Sequence, residues 1–163
     1  MEDVIQIKKD NLLRVKIVDE FGNDTGNTLE FDLESLELPI KINIANKEHE
    51  KNVQYFKAQE TLIKKRPDKK GKYAFSYNQE CLLKLYKEFY EKEMEVLDSF
   101  LGKDGCKKLL NGREPYYTMF DDFAEYLKPI MPKIEKTKEQ IANKIKKEYS
   151  TKEDDVLQWN QLK

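Results

Sequence analysis

Near the N-terminus, apolar and polar residues alternate with a two-residue period over two short stretches. Leu13, Val15 and Ile17 alternate with Arg14, Lys16 and Val18, and Leu29, Phe31 and Leu33 have Glu30 and Asp32 between them. This is the pattern of half-buried strands. The segment between them, Glu20 to Gly26, is dense in residues that tolerate turn geometry. The two stretches predict a β-hairpin, too small to stand alone in water, that must dock on helices or on another subunit's strand.

Beyond the hairpin the period changes to that of helices. A first helix is entered through Ser35 to Pro39, since proline is tolerated in a first turn. Ile42, Ala45, His49, Val53, Phe56 and Ile63 fall near a 3.6-residue repeat before Arg66-Pro67 ends it. Ser76 with Gln79 fits a capping box and opens a second helix. Its stripe of Leu82, Leu85, Phe89, Leu97 and Leu101 runs to a C-cap at Gly102. A short helix over Cys106 to Leu110 closes at Asn111-Gly112. A fourth runs from Tyr116 to Leu127, with Pro129 and Pro132 expected to break or kink it. The fifth, Ile134 to Tyr149, has only a narrow stripe of Ile134, Ile141, Ile145 and Tyr149. From Ser150 onward the chain is expected to be loose, with Val156, Leu157, Trp159 and Leu162 arranged as a docking segment. The expected fold is mainly α (α+β), the hairpin packing on about four to five helices. Residues 1–132 form the hairpin and helical core, and 133–163 a weakly packed C-terminal helix and flexible docking tail that is not an independent domain. The internal core is expected where Ile42, Val53, Phe56 and Ile63 meet Leu82, Leu85 and Phe89.

Composition narrows the function classes. Of 163 residues, 37% are charged and 39% hydrophobic, against roughly 25% charged in an ordinary soluble domain. That is a thin core for the length, which suggests an elongated helical body or one completed by partners. The thinness looks uneven: residues 40 to 127 carry a core, while the hairpin and everything after Pro132 look underfilled. Thirty Lys and Arg against 31 Asp and Glu leave a charge of −1, so global charge gives no push toward nucleic acid or an anionic membrane. Two cysteines and one histidine argue against a disulfide framework or a His/Cys metal cage. Met1 to Asp10 lacks the apolar core of a signal peptide, no stretch is apolar enough to cross a membrane, and the expected compartment is the cytoplasm.

No acid, base or nucleophile constellation emerges, and no catalytic residue, cofactor or metal is expected. His49 reads as a helix residue at the edge of the core. Glu91, Glu93, Glu95 and Asp98, and separately Asp121 with Asp122, read as solvated faces of an acid-rich chain. The segment Lys64 to Lys72 concentrates Lys64, Lys65, Arg66, Lys69, Lys70 and Lys72 against a single Asp, a local charge of +5, with Tyr73 and Phe75 close behind. Clustered cations beside aromatics are what phosphate contact and base stacking need. The shortness of the loop and the balancing charge of the body favour an ordinary exposed interhelical loop. Among Tyr116, Tyr117, Phe120, Phe123 and Tyr126, the adjacent tyrosines at 116 and 117 cannot both face inward, so one is expected near the surface, where tyrosine suits protein interfaces.

Four stretches taken together resemble a family. They are Val15 to Gly22 (VKIVDEFG), Leu29 to Pro39 (LEFDLESLELP), Phe89 to Gly102 (FYEKEMEVLDSFLG) and Gly105 to Lys128 (GCKKLLNGREPYYTMFDDFAEYLK). Their order and spacing, over roughly residues 12 to 132, resemble the tail assembly chaperones of long-tailed (siphovirus-like) phages of Gram-positive bacteria. The resemblance implies a non-catalytic helical protein of the host bacterial cytoplasm, absent from the finished virion. Such a protein binds and solubilises the tape measure protein, helps recruit tail tube subunits during tail morphogenesis, and is often made in two lengths by a ribosomal frameshift. Its partners would be the tape measure and tube proteins of the same phage, with self-association and, as a further partner, a host defence sensor.

On that basis the expected client or self contacts are Tyr116, Tyr117, Met119, Tyr126, Ile141, Ile145, Tyr149 and Trp159, with the hairpin free to pair edge to edge between subunits. Two alternatives stand beside it: a structural tail or head-tail connector subunit, and a small nucleic-acid-binding phage regulator using the Lys64–Lys72 loop.

Overall fold

A computed structural model describes residues 2–8 and 11–161, with side chains through Glu148. The chain is mainly α with a small β part. Strands β1 (Leu12–Val18) and β2 (Asp24–Asp32) are followed by helices α1 (Glu37–Lys65), α2 (Tyr77–Leu101), α3 (Gly105–Leu110), α4 (Met119–Leu127) and α5 (Met131–Gln161).

The strands pair antiparallel, with Leu13 opposite Phe31 and Val15 opposite Leu29. Four apolar side chains therefore share one face, while the Arg14–Glu30 pair (3.1 Å) lies on the other. In the turn, the Asp19 carboxylate accepts from the Asn23 N–H (2.8 Å) and the Phe21 N–H (2.9 Å). The bond from Asn23 is the main reason its carboxyl titrates below the usual range.

The hairpin is not underfilled. Leu29 and Phe31 are 1% and 2% exposed, and they sit at the centre of the core with Leu38, Ile42, Leu101, Cys106, Met119, Phe123 and Ile134. This head is assembled from the hairpin, the start of α1, the end of α2, α3, α4 and the start of α5. The expected core along the first two helices is the thinner region. Past Ala45, α1 has no fully buried residue; Leu85 of α2 is buried as expected, but Val53, Phe56, Ile63, Leu82 and Phe89 are all half-buried. The two long helices form an antiparallel arm whose far half has solvent on most sides. The accessible surface of 13203 Å² exceeds the about 8,500 Å² of a compact monomer of this mass.

The expected capping box is present at α2: Ser76 Oγ accepts from the Gln79 N–H, and Gln79 Oε1 from the Ser76 N–H. Gly102 ends α2 at φ +97°, where a side chain would be strained. Asp98 Oδ1 then accepts the Cys106 N–H (2.8 Å), tying α3 to the end of α2. Three helix boundaries differ from the sequence expectation. Helix α4 begins at Met119 rather than Tyr116, though it ends at Leu127 ahead of the two prolines as expected. Helix α5 begins at Met131 rather than Ile134, taking Pro132 into its first turn, and it continues through Ser150 to Gln161 rather than becoming loose. No glycine or proline follows Pro132, so nothing in the local chemistry stops it. Among the described residues, no helix is long and apolar enough to cross a membrane.

Candidate interaction surfaces

The aromatic residues form a ladder joining arm to head. Phe56 lies 4.7 Å from Phe89 and 5.0 Å from Tyr86, Tyr90 lies 4.9 Å from Phe120, and Phe123 continues the series to Tyr126. Edge-on and tilted rings at these spacings add roughly 0.5–1.5 kcal/mol per pair beyond their buried area. The Tyr90 hydroxyl donates to the Tyr117 carbonyl, fastening the approach to α4 onto α2.

Of the expected contact residues, Tyr117 (75% exposed) and Tyr126 project to solvent and Tyr116 does not. The Tyr116 ring is half-buried, with the Arg113 guanidinium 3.5 Å from its centroid, and its hydroxyl donates to Asp122 Oδ2. That carboxylate pushes the phenol up to about 12. Met119 is completely buried, so it packs the head and cannot meet a partner. A thioether is as much core as surface, and the elements that close over it decide which. Ile141 is half-buried beside Leu38 and Ile42, while Ile145 is exposed. The side chains of Tyr149 and Trp159 lie outside the described residues.

An open groove of about 570 Å³ is lined by Val15 to Glu20, Leu29, Leu110, Tyr126 and Ile130. Among the described residues the sheet has two strands, and the outer edge of β1 has no strand partner there. The segment from Glu2 to Lys8 is exposed throughout, Val4, Ile5 and Ile7 included.

A second apolar surface was not apparent from the sequence. Leu36, Ile40 and Ile44, spaced four apart, are 65%, 51% and 53% exposed along one side of the α1 entrance. Their neighbours Leu38, Ile42 and Ala45 are buried. The signal was there: apolar residues occupy more of this helix's circumference than one core-facing stripe needs.

The arm holds a buried polar cluster. Glu93, expected on a solvated face, is only 7% exposed. Its Oε1 accepts from Asn52 Nδ2 (2.9 Å), and its Oε2 is 2.6 Å from Nδ1 of the half-exposed His49. Both carboxylate oxygens are therefore satisfied, as a buried charge requires. This occupies the single histidine in a structural role. Glu91 and Glu95 are exposed. Cys106 is buried beneath Met94, and its desolvation raises the thiol pKa well above the ordinary range, which makes it a poor nucleophile.

At the far end of the arm the basic loop is a built turn. Asn78, nearly buried, accepts from Arg66 Nε (2.8 Å) and donates to the Arg66 carbonyl (3.2 Å). Asp68 Oδ1 accepts the N–H groups of Lys69 (2.8 Å) and Asn78 (3.0 Å). With a hydrogen bond from Ser76 as the largest cause, its carboxyl titrates below the usual range. A Cβ on Gly71 would fall 2.1 Å from the Phe75 carbonyl oxygen, so only glycine lets the two strands of the turn approach.

No protein-family model, curated protein or solved structure matches this chain.

Proposed function

We propose that this chain is a non-catalytic tail assembly chaperone of a long-tailed phage, acting in the host bacterial cytoplasm. It holds the tape measure protein soluble until tail tube subunits polymerise around it. The resemblance over residues 12 to 132 supplies the client. The observation that carries the proposal is the exposed stripe of Leu36, Ile40 and Ile44. Four-residue spacing presents these side chains on one face of α1, the arrangement by which an amphipathic helix is held in helix-to-helix contact. Three aliphatic side chains bury enough area to bind a long apolar helix and little enough to release it when tube protein arrives. The surrounding lysines and glutamates keep the complex in solution.

The test is co-expression with the product of the very long reading frame expected beside this gene. The tape measure protein should move from the insoluble to the soluble fraction and co-purify with the chain. An Ile40→Lys/Ile44→Lys variant should lose that effect while keeping its helix content. A tape measure protein that stays insoluble alongside the wild-type chain would sink the proposal. Recovery of the chain in purified virions would make it a structural tail or connector subunit instead.

A further inference from the structure

The end of the arm remote from the head has chemistry that client binding does not use. Six cations, Lys64 to Lys72, share this tip with Tyr73, Phe75 and Tyr77. Even after Asp68, Glu60 and Glu80 are counted, the tip carries +3 in a chain whose total is −1. Among the described residues only Lys64 of the six is ion-paired, to Glu60 at 2.8 Å. Lys69 Nζ and the Arg66 guanidinium lie 4.3 Å and 4.9 Å from the centre of the Tyr77 ring, and Lys72 Nζ is 5.5 Å from that of Tyr73. Tyr73 is 74% exposed and Phe75 51%. The backbone of this turn is held in place by the Asn78 and Asp68 hydrogen bonds and by the close approach at Gly71, so little backbone ordering entropy remains to be lost on binding.

We propose that this tip is a binding site for single-stranded nucleic acid. Unpaired cations on a projecting turn attract phosphates. The exposed rings of Phe75 and Tyr73 offer stacking surfaces that only unpaired bases can use. A duplex keeps its bases stacked internally and would meet the cations alone. An acidic polypeptide would likewise leave both rings in water. The site lies at the opposite end of the arm from Leu36, Ile40 and Ile44, so it stands or falls separately from the chaperone proposal.

The experiment is fluorescence anisotropy of the full chain with labelled oligouridylate and oligothymidylate of about 15 nucleotides, titrated from about 50 to 200 mM salt. Saturable binding is expected, with log K falling against log salt by about 0.7 for each phosphate neutralised. A Lys69→Glu/Lys70→Glu/Lys72→Glu variant should lose at least about tenfold in affinity and flatten the salt slope. Only its side chains change, while the turn's hydrogen bonds at these positions come from the backbone, so circular dichroism should match wild type. Tyr73→Ala/Phe75→Ala should lose roughly tenfold with the slope unchanged. Absence of saturable binding at the lowest salt would overturn the proposal. So would equal affinity for a duplex or for polyglutamate, since either would mean a sink for any polyanion.

Discussion

The head and the arm are built from similar sequence and held together differently. In the head, strands and short helices from both halves of the chain converge on Leu29, Phe31, Met119 and Phe123, all essentially sealed from solvent. In the arm, two long helices touch along a single seam whose apolar members, Leu85 apart, are half-buried and whose middle is the Glu93–His49–Asn52 cluster. At 29 residues, α1 is about 44 Å long, and only its first three turns reach the head. A surface enclosed from several sides excludes water, whereas one seam between two helices cannot. The head therefore supplies stability, and the arm supplies reach and exposed chemistry.

The largest expected effect separates the two directly. Phe123→Ala in the head should cost about 3–5 kcal/mol in chemical denaturation, while Phe56→Ala in the arm should cost about 1–2 kcal/mol because its side chain is already partly solvated. Equal losses would mean that the arm is as tightly packed as the head.

Within the arm, Asn52→Ala leaves one oxygen of a buried carboxylate without its donor and should cost about 1–3 kcal/mol. Glu93→Leu removes the charge itself and should fall within about 1 kcal/mol of wild type. If Glu93→Leu were the more damaging of the two, the cluster would be stabilising the arm rather than fixing how its helices align.

At the tip, Gly71→Ala forces a methyl group against the Phe75 carbonyl and should cost about 1–3 kcal/mol. Hydrogen exchange should show the loss confined to residues 66–80, with amides of the head unaffected.

The smallest effect is one of pH. The phenol of Tyr116 is raised to about 12, so its bond to Asp122 is fully present below the ordinary tyrosine pKa and is lost only as pH rises through about 12. Absorbance titration should show a tyrosine ionising near pH 12, and Asp122→Asn should shorten that delay and cost a small part of the stability near neutrality, where the bond is present.

Much of the fold was legible in the sequence. The hairpin, the Ser76–Gln79 capping box, the stop at Gly102 and the order of the helices rest on two-residue and 3.6-residue periods and on caps, which act over a few residues. The misjudgements share a cause. The hairpin looked underfilled because three or four apolar residues on a strand are few, until five other elements cover them. Met119 looked available and Glu93 solvated because their burial depends on residues distant in sequence: the hairpin and α2 for one, Asn52 and His49 for the other. The basic loop read only as an ordinary exposed interhelical loop for the same reason, since Asn78 gives no sign in sequence that it will hold Arg66 at both ends.

The sequence by itself therefore determined which segments become strands and helices, where α1 and α2 stop, and that one turn would carry concentrated positive charge. These are properties of short stretches of chain and their hydrogen-bonding needs. Only the tertiary structure decided which of the apolar faces became core. It sealed Ile42 inside and left Ile40 and Ile44 in water, and it closed the loop after α1 into a firm platform. A residue's own neighbours set its periodicity, but exclusion of water requires elements that meet from elsewhere in the chain.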